Sequence, residues 1–342
     1  MSNLVVQWDT ETYEVIKTET LKQSVNTMAL LHREQDDVLI VAARETLYFF
    51  NPETLEKVKK LGTKFWTFVS QIVGLQKFKN EYFIIQDLYA NLKVIETSTG
   101  NMIMEIKGQG LELFTIVSNS VIELVDPYNK LQPLSEEEFK NQQQSGTEHV
   151  EMEEENTAMI ATTVPIKGGC ALAIYSIDPI NQESKIIKVM NKKGKDISKG
   201  FSILQLKGGI LAYSNFGKIE IVDAWDGFKV LKTSINKTHP EEVDEVAPDY
   251  VRKMVIVEKR RKTNALKEHP LGSYSLLTVG YRTELNLWNV DFKEKEIEIY
   301  KAEASRKLKH KKSVLDVALI NNKLITCSVD STMHLYDINY RY

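Results

Sequence analysis

The chain has 342 residues, of which 42% are hydrophobic and 9% aromatic, and its formal net charge at pH 7 is −3. This length and composition suit one large all-β domain or two ordinary domains, each with a substantial core. The near-neutral balance excludes a general polyanion binder and an acidic tail protein, so charge matters only locally. No run of about 18 apolar residues and no basic leader before an apolar stretch occurs. We therefore expect an intracellular protein of the cytoplasm or nucleus, without membrane insertion.

The sequence lacks the usual motifs of reactive sites. It contains no Gly-x-Ser-x-Gly, no glycine-rich phosphate loop, no His-Glu-x-x-His and no Cys-x-x-Cys. Its two cysteines, Cys170 and Cys327, lie far apart within apolar runs, which favours reduced, buried thiols over a disulfide framework. The six histidines are scattered. We predict a protein that is not an enzyme and that needs no cofactor, metal or small-molecule substrate.

A repeated pattern runs along the chain. Each repeat has an apolar run, a short turn and a second alternating run that ends in a polar residue, which predicts an antiparallel hairpin. Seven repeats occur, at 38–51, 82–96, 113–126, 170–178, 209–223, 275–289 and 323–337. After the first two, another alternating run follows a turn, so we predict four strands per repeat. Stacked sheets would cover each other's apolar faces and edges. The pattern therefore predicts an all-β repeat protein.

The last repeat has the most specific pattern. His310 precedes its first apolar run, Ser328 and Asp330 lie at the hairpin turn, and Tyr336 with Asp337 ends the second run. These residues resemble the closing repeat of a WD-repeat β-propeller. The resemblance implies a buried hydrogen-bond network in which His310 donates toward Asp330. It also implies a role as a platform that binds other proteins.

The resemblance also implies the architecture of the whole chain. We predict one propeller over residues 1–342, with seven blades of four antiparallel strands; eight blades or an open ring are the alternatives. Few residues follow the last hairpin, so we expect the amino-terminal strand 14–18 to complete the last blade and close the ring. The run 4–8 would then be an extra edge strand or an arm. Most other repeats depart from the family pattern, with Gly280 and Arg282 at the places of the last repeat's Ser and Asp, and they should depend on apolar packing.

Two insertions interrupt the repeats. The first, 135–156, is rich in glutamate and predicts an exposed acidic loop. This loop either only solubilises the protein, or it docks on a basic partner or competes with nucleic acid for the protein's own basic face. The second, 233–273, begins with acidic residues and continues into the apolar run 251–257, which we expect to be an inner strand of the sixth blade. The basic residues after that run would form a loop at the rim of the blade.

Two basic segments are candidate contacts for nucleic acid. The first consists of Lys259, Arg260, Arg261 and Lys262, and the second of Arg306, Lys307, Lys309, Lys311 and Lys312. Lysine and arginine in rim loops bind phosphates without reading base sequence. The net charge of the chain argues against a dedicated nucleic-acid binder. Ordinary solvated loops are the alternative interpretation.

One aromatic cluster is a candidate contact for a protein. Trp66 lies in the segment Phe-Trp-Thr-Phe at 65–68, where alternation would place its aromatic rings on both faces of a blade. Packing in the core is the favoured use. If the indole is exposed near the central channel, it would be an anchor for a partner, because tryptophan is common in interface hot spots.

These observations lead to two hypotheses about function. The first is a non-enzymatic scaffold, a WD-repeat subunit of an intracellular multiprotein complex. The alternative is a propeller subunit of a ribonucleoprotein or chromatin complex that contacts nucleic acid through its basic rim loops. The propeller fold alone does not choose a pathway, because one fold supports many functions.

Overall fold

The structure is a computed structural model, and the account below concerns the residues that it describes. These are residues 3–9, 11–62, 68–87, 89–107, 120–125, 156–166, 169–190, 202–215, 218–234, 251–260, 272–280, 283–293, 296–301, 306–320 and 323–337. Strands dominate this part of the chain, with one short 3₁₀ turn at Gln76–Phe78. The all-β class expected from the alternating pattern is confirmed.

The first half of the chain forms a hairpin and three antiparallel sheets. The hairpin consists of β1 (Leu4–Trp8) and β2 (Val15–Thr20). The first blade contains β3 (Val25–His32), β4 (Asp37–Ala43), β5 (Thr46–Phe50) and β6 (Lys57–Leu61). The second contains β7 (Val69–Gly74), β8 (Tyr82–Asp87), β9 (Leu92–Glu96) and β10 (Met102–Ile106). The third contains β11 (Val121–Glu123), β12 (Ala158–Ile166), β13 (Gly169–Asp178) and β14 (Glu183–Val189).

Three more sheets follow in the second half. The fourth blade contains β15 (Ile203–Lys207), β16 (Ile210–Asn215), β17 (Lys218–Asp223) and β18 (Lys229–Thr233). The fifth contains β19 (Val251–Arg260), β20 (Ser273–Gly280), β21 (Glu284–Phe292) and β22 (Ile297–Lys301), and β23 (Arg306–Lys307) also pairs with β21. The sixth contains β24 (Val314–Ile320), β25 (Lys323–Ser328) and β26 (Met333–Asp337). Within each blade, strands that follow one another pair antiparallel.

The described residues form six blades, so the prediction of seven is wrong. Two of the seven predicted hairpins, 113–126 and 170–178, contribute to a single blade, because they contain β11 and β13. Between them lies β12, which no predicted hairpin includes and which pairs with both strands. The other five predicted hairpins are present, and each supplies the second and third strands of its blade.

The amino-terminal strand also differs from its prediction. β2 pairs with β1 rather than with β26, so the structure does not show the expected closure of the ring by residues 14–18. A tight turn explains the local pairing, since the Asp9 carboxylate accepts hydrogen bonds from the backbone N–H groups of Glu11 and Thr12. The hairpin packs on the first blade, where Val5 is buried and the Gln7 amide donates to the carbonyl of Pro52 at 3.2 Å.

Buried side chains join each blade to the next. Phe49 of the first blade and Phe83 of the second meet edge to face, with ring centroids 6.1 Å apart. Apolar clusters likewise join the second, third and fourth blades, the fourth and fifth, and the fifth and sixth. Among the described residues, no such cluster joins the sixth blade to the first. Among the described residues, the radial packing is therefore continuous through five junctions and is not seen at the sixth, which we call the interrupted junction.

Buried hydroxyl and amide groups reinforce the junctions between inner strands. The hydroxyl oxygen of Ser120 accepts from the N–H of Ile203 at 3.0 Å, and that of Ser202 accepts from the N–H of Met254 at 3.2 Å. One blade earlier, Gln71 exchanges two hydrogen bonds with the backbone of β11. The first strand of each blade has no neighbouring strand on its inner edge, so some of its backbone groups lack strand partners. These side-chain hydrogen bonds provide partners for such groups.

The polar residue that ends three of the predicted hairpins closes a turn. Asn51, Asp178 and Asp223 follow or end the third strands of their blades, and one side-chain oxygen of each accepts two backbone N–H groups from the next three residues. Aspartate and asparagine favour turns by this bonding. The repeated polar residue thus directs the chain into the fourth strand.

Candidate interaction surfaces

His310 lies buried immediately before the sixth blade, at the place that the sequence pattern indicates. Its Nε2 lies 2.7 Å from the hydroxyl of Thr326, and its Nδ1 lies 2.8 Å from the hydroxyl of Thr332. The nearest oxygen of Asp330 is 3.6 Å from Nδ1. The imidazole therefore bonds to two threonines rather than directly to the expected carboxylate. Side chains alternate along β25, so Thr326 lies on the same face of the strand as Ser328. This alternation could have identified Thr326 as a partner of the imidazole from the sequence.

Asp330 organises the turn between β25 and β26. Its carboxylate accepts from the N–H of Lys311 at 2.6 Å and from the N–H and hydroxyl of Thr332 at 3.0 and 2.5 Å. The hydrogen bond from the Thr332 hydroxyl, followed by those from the two backbone groups, holds the pKa of Asp330 well below its usual range. Ser328 donates to the carbonyl of Lys312 at 2.9 Å. Together these bonds position the connection between the fifth and sixth blades.

The two residues of the aromatic-Asp pair in the last strand, Tyr336 and Asp337, make different contacts. The hydroxyl oxygen of Tyr336 accepts from the N–H of Lys309 at 3.1 Å, and its ring packs on the cluster between the fifth and sixth blades. Asp337 instead forms an exposed ion pair with Lys323 on the neighbouring strand. The structure thus brings His310, Ser328, Asp330 and Tyr336 to one corner, while Asp337 lies outside it.

Acid should weaken this corner, and His310 should be one cause. Burial, and then the nearby His334 with its ring centroid 4.6 Å away, lowers the pKa of His310, against a smaller opposing effect of Asp330. The unfolded chain therefore takes up a proton on this residue before the folded chain does. The stabilisation is complete above the unfolded pKa of about 6.5 and is lost as the pH falls below it. We expect a lower melting temperature at pH 5.5 than at pH 7.5.

The variant His310→Gln isolates this contribution. It should melt at a lower temperature than the wild type at pH 7.5, because it breaks buried hydrogen bonds that together contribute about 1–3 kcal/mol. The difference in its melting temperature between pH 7.5 and pH 5.5 should be smaller than that of the wild type. Differential scanning calorimetry of both proteins at both pH values provides the measurement. If the melting temperatures of His310→Gln and of the wild type differed equally between the two pH values, other groups would cause the acid sensitivity.

The backbones of Arg260 and Arg306, one from each basic segment, lie toward opposite ends of the fifth blade. Arg260 ends β19 opposite Ser273, the first residue of β20, whereas Arg306 pairs with Leu285, which lies opposite Val279. Six residues of extended strand separate these positions, a distance of about 20 Å. These two backbone positions are therefore not adjacent along this blade.

The other members of these segments have different positions. Lys259 belongs to β19 and Lys307 to β23, so both are in strands rather than in the expected loops. Lys309, Lys311 and Lys312 are exposed on the connection that Asp330 and Ser328 position. Three predicted features, Arg261 with Lys262, Trp66, and nearly all of the acidic segment 135–156, lie outside the described residues.

Many of the exposed apolar side chains lie on four strands near the amino-terminal hairpin and the sixth blade. Eighteen large apolar side chains are exposed in the described part of the chain, and eight of them lie on β1, β2, β3 and β26. The eight are Leu4, Trp8, Val15, Ile16, Met28, Leu30, Met333 and Leu335. These strands border the interrupted junction between the sixth blade and the first. Sequence alternation could not reveal this surface, because the same alternation produces buried faces elsewhere.

Comparison with known proteins identifies the fold. No protein-family model matches the sequence, and no curated protein matches it. Among solved structures, a chain in the crystal structure of the mitotic checkpoint complex is similar over 98% of this chain and 81% of its own length, with 11% identity and a TM-score of 0.59. The Cps50 (Swd1) beta-propeller domain of Myceliophteria thermophila is similar over 93% and 85%, with 10% identity and a TM-score of 0.56. The chain is a β-propeller. At these identities the similarity establishes the fold alone.

Neither membrane-spanning helices nor metal-binding clusters are found in the described residues. In the part of the chain that the structure describes, no helix has the length and apolar character needed to span a membrane. The same residues contain no group of three or more His, Cys, Asp or Glu side chains arranged to hold a metal ion. Cys327 is a free, partly buried thiol, and burial raises its pKa.

Proposed function

We propose that this propeller is a non-enzymatic scaffold, a WD-repeat subunit of an intracellular multiprotein complex. The observation that carries the proposal is the concentration of exposed apolar side chains beside one junction of the propeller. Soluble proteins rarely leave contiguous apolar surface exposed unless it binds something. The packed blades provide a rigid base for that surface, because five junctions are filled by buried clusters and hydrogen bonds.

Two observations support the more specific parts of the proposal. The bonded corner of His310, Ser328 and Asp330 has the residues of the WD-repeat pattern at the expected turn. The two similar structures are a chain of a complex and a propeller domain, which agrees with a role in assembly. The compartment, cytoplasm or nucleus, and the absence of catalysis are parts of this proposal.

Affinity purification of the tagged, full-length chain from its own cells, with and without nuclease, tests the function. We expect mass spectrometry to identify a stoichiometric protein partner that survives nuclease treatment at mild salt. Loss of the partner on nuclease treatment would favour the alternative, in which basic segments bind nucleic acid and binding falls steeply with salt. A monomeric chain without any partner in the extract would contradict the scaffold.

A further inference from the structure

The sixth blade has two unlike faces. Val317, Leu324 and Tyr336 point to the fifth blade and contribute to its apolar cluster. On the other face, Met333 and Leu335 lie on β26 with exposed fractions of 46% and 39%, next to their cross-strand partners Cys327 and Ile325. A face of alternating apolar residues normally packs on a neighbouring sheet. This face has no such cover in the described part of the chain.

The first blade presents a matching bare surface. Met28 and Leu30 of its innermost strand are 50% and 47% exposed. Met28 lies directly opposite Val41, and paired residues share one face of a sheet. The hairpin of β1 and β2 packs with Val41 and with Val25 of the inner strand, but it leaves Met28 and Leu30 exposed. The junction therefore has an apolar surface on each side.

An unpaired strand edge lies at the same place. The sixth sheet ends at β26 in the described residues, with three strands where the other blades have at least four. The outer edge of a last strand offers backbone N–H and C=O groups to another strand. β2 could supply a strand, but it pairs with β1, and Glu19 forms an ion pair with Lys57 of the first blade at 3.4 Å. The tip of the hairpin approaches the sixth blade, where the Lys323 ammonium lies 5.3 Å from the centre of the Tyr13 ring.

We propose that the junction between the sixth and first blades is a docking site for a β-strand of a partner protein, which pairs with β26 and inserts apolar side chains toward both blades. This inference rests on the proposed scaffold function and names the chemistry of the partner. Only a strand satisfies both features of the site, because it supplies main-chain partners to the edge and alternating side chains to two faces. A helix would leave the edge groups of β26 unpaired. The same surface continues the packing of sheet on sheet that fills the other five junctions.

Site-specific photocrosslinking tests the occupant directly. The photoreactive residue p-benzoylphenylalanine replaces Leu335 in the full-length chain, and the complex is purified from its own cells and irradiated. We expect a crosslink to a partner segment with apolar residues at alternating positions. The same residue at Val230, which is 40% exposed on the outer strand of the fourth blade, is the matched control and should not crosslink to that segment. Crosslinks to β1 and β2, to a second copy of the chain, or to a helical or polar segment would overturn the proposal.

Charge substitution provides the second test. Met333→Lys and Leu335→Lys should each lower recovery of the partner about tenfold or more, because a charge would be buried in the centre of the interface. Val230→Lys should recover the partner as the wild type does, and circular dichroism should show that all three variants fold. If the wild type has a partner and the β26 variants retain it, the docking site is wrong while the scaffold function stands. If the wild type has no partner, the scaffold function itself is wrong.

Discussion

Leu324→Ala should destabilise the isolated protein by about 2–5 kcal/mol, whereas Leu335→Ala should cost less than about 1 kcal/mol. The two leucines lie on adjacent strands of the sixth blade and point to opposite faces. Leu324 is fully buried in the cluster with the fifth blade, so its truncation removes apolar burial and leaves a cavity. Leu335 faces the interrupted junction, where truncation leaves no enclosed cavity.

Urea unfolding of the purified chain, followed by intrinsic fluorescence, measures both effects. For Leu324→Ala, the urea concentration at the midpoint of unfolding should fall, while the slope of the free energy of unfolding against urea stays the same. That combination would show that the substitution changes the free energy of unfolding. Because the two variants remove the same atoms from one sheet, each serves as the control of the other. Equal, large losses would show that the junction is filled in the isolated chain, for example by the β1–β2 hairpin, and would contradict the open face.

The sequence predicts the class of fold better than the number of blades. Alternation and turns locate the second and third strands of five blades, because these two strands pair with each other across a short turn. The count fails in the third blade, where β11 and β12 are separated by more than thirty residues. Two strands that pair across a long insertion leave no local pattern, so the sequence suggested two repeats where one exists.

The candidate surfaces show a similar limit. The positions of His310, Ser328, Asp330 and Tyr336 follow from a local motif, since all four lie within one connection and one hairpin. The choice of threonines as partners of the imidazole depends on side-chain directions within the hairpin. The bare junction depends on how the two ends of the chain meet. That relation joins residues about 300 positions apart and has no signature in either segment alone.

Lys93→Met should destabilise the protein by about 3 kcal/mol, the lower end of the range for breaking a buried ion pair. The Lys93 ammonium is almost fully buried in the second blade, 3.6 Å from the Asp87 carboxylate and 3.5 Å from that of Glu105. Methionine keeps most of the stem but removes the ammonium that lies beside the buried Asp87 carboxylate. The loss is moderated because Asp87 also accepts hydrogen bonds from the backbone of Tyr89 and from Asn91.

Two further variants separate charge from packing. Lys57→Met removes a half-exposed cation that pairs with Glu19, and it should cost less than about 1 kcal/mol because water screens such pairs. The double variant Asp87→Asn with Lys93→Met should recover much of the loss of the single one, since no uncompensated buried charge remains. Urea unfolding of the wild type, Lys93→Met, Lys57→Met, Asp87→Asn alone and the double variant gives the comparison. If the double variant were as unstable as the sum of its two single changes, the stability would come from packing and hydrogen bonds around Asp87 rather than from its pairing with Lys93.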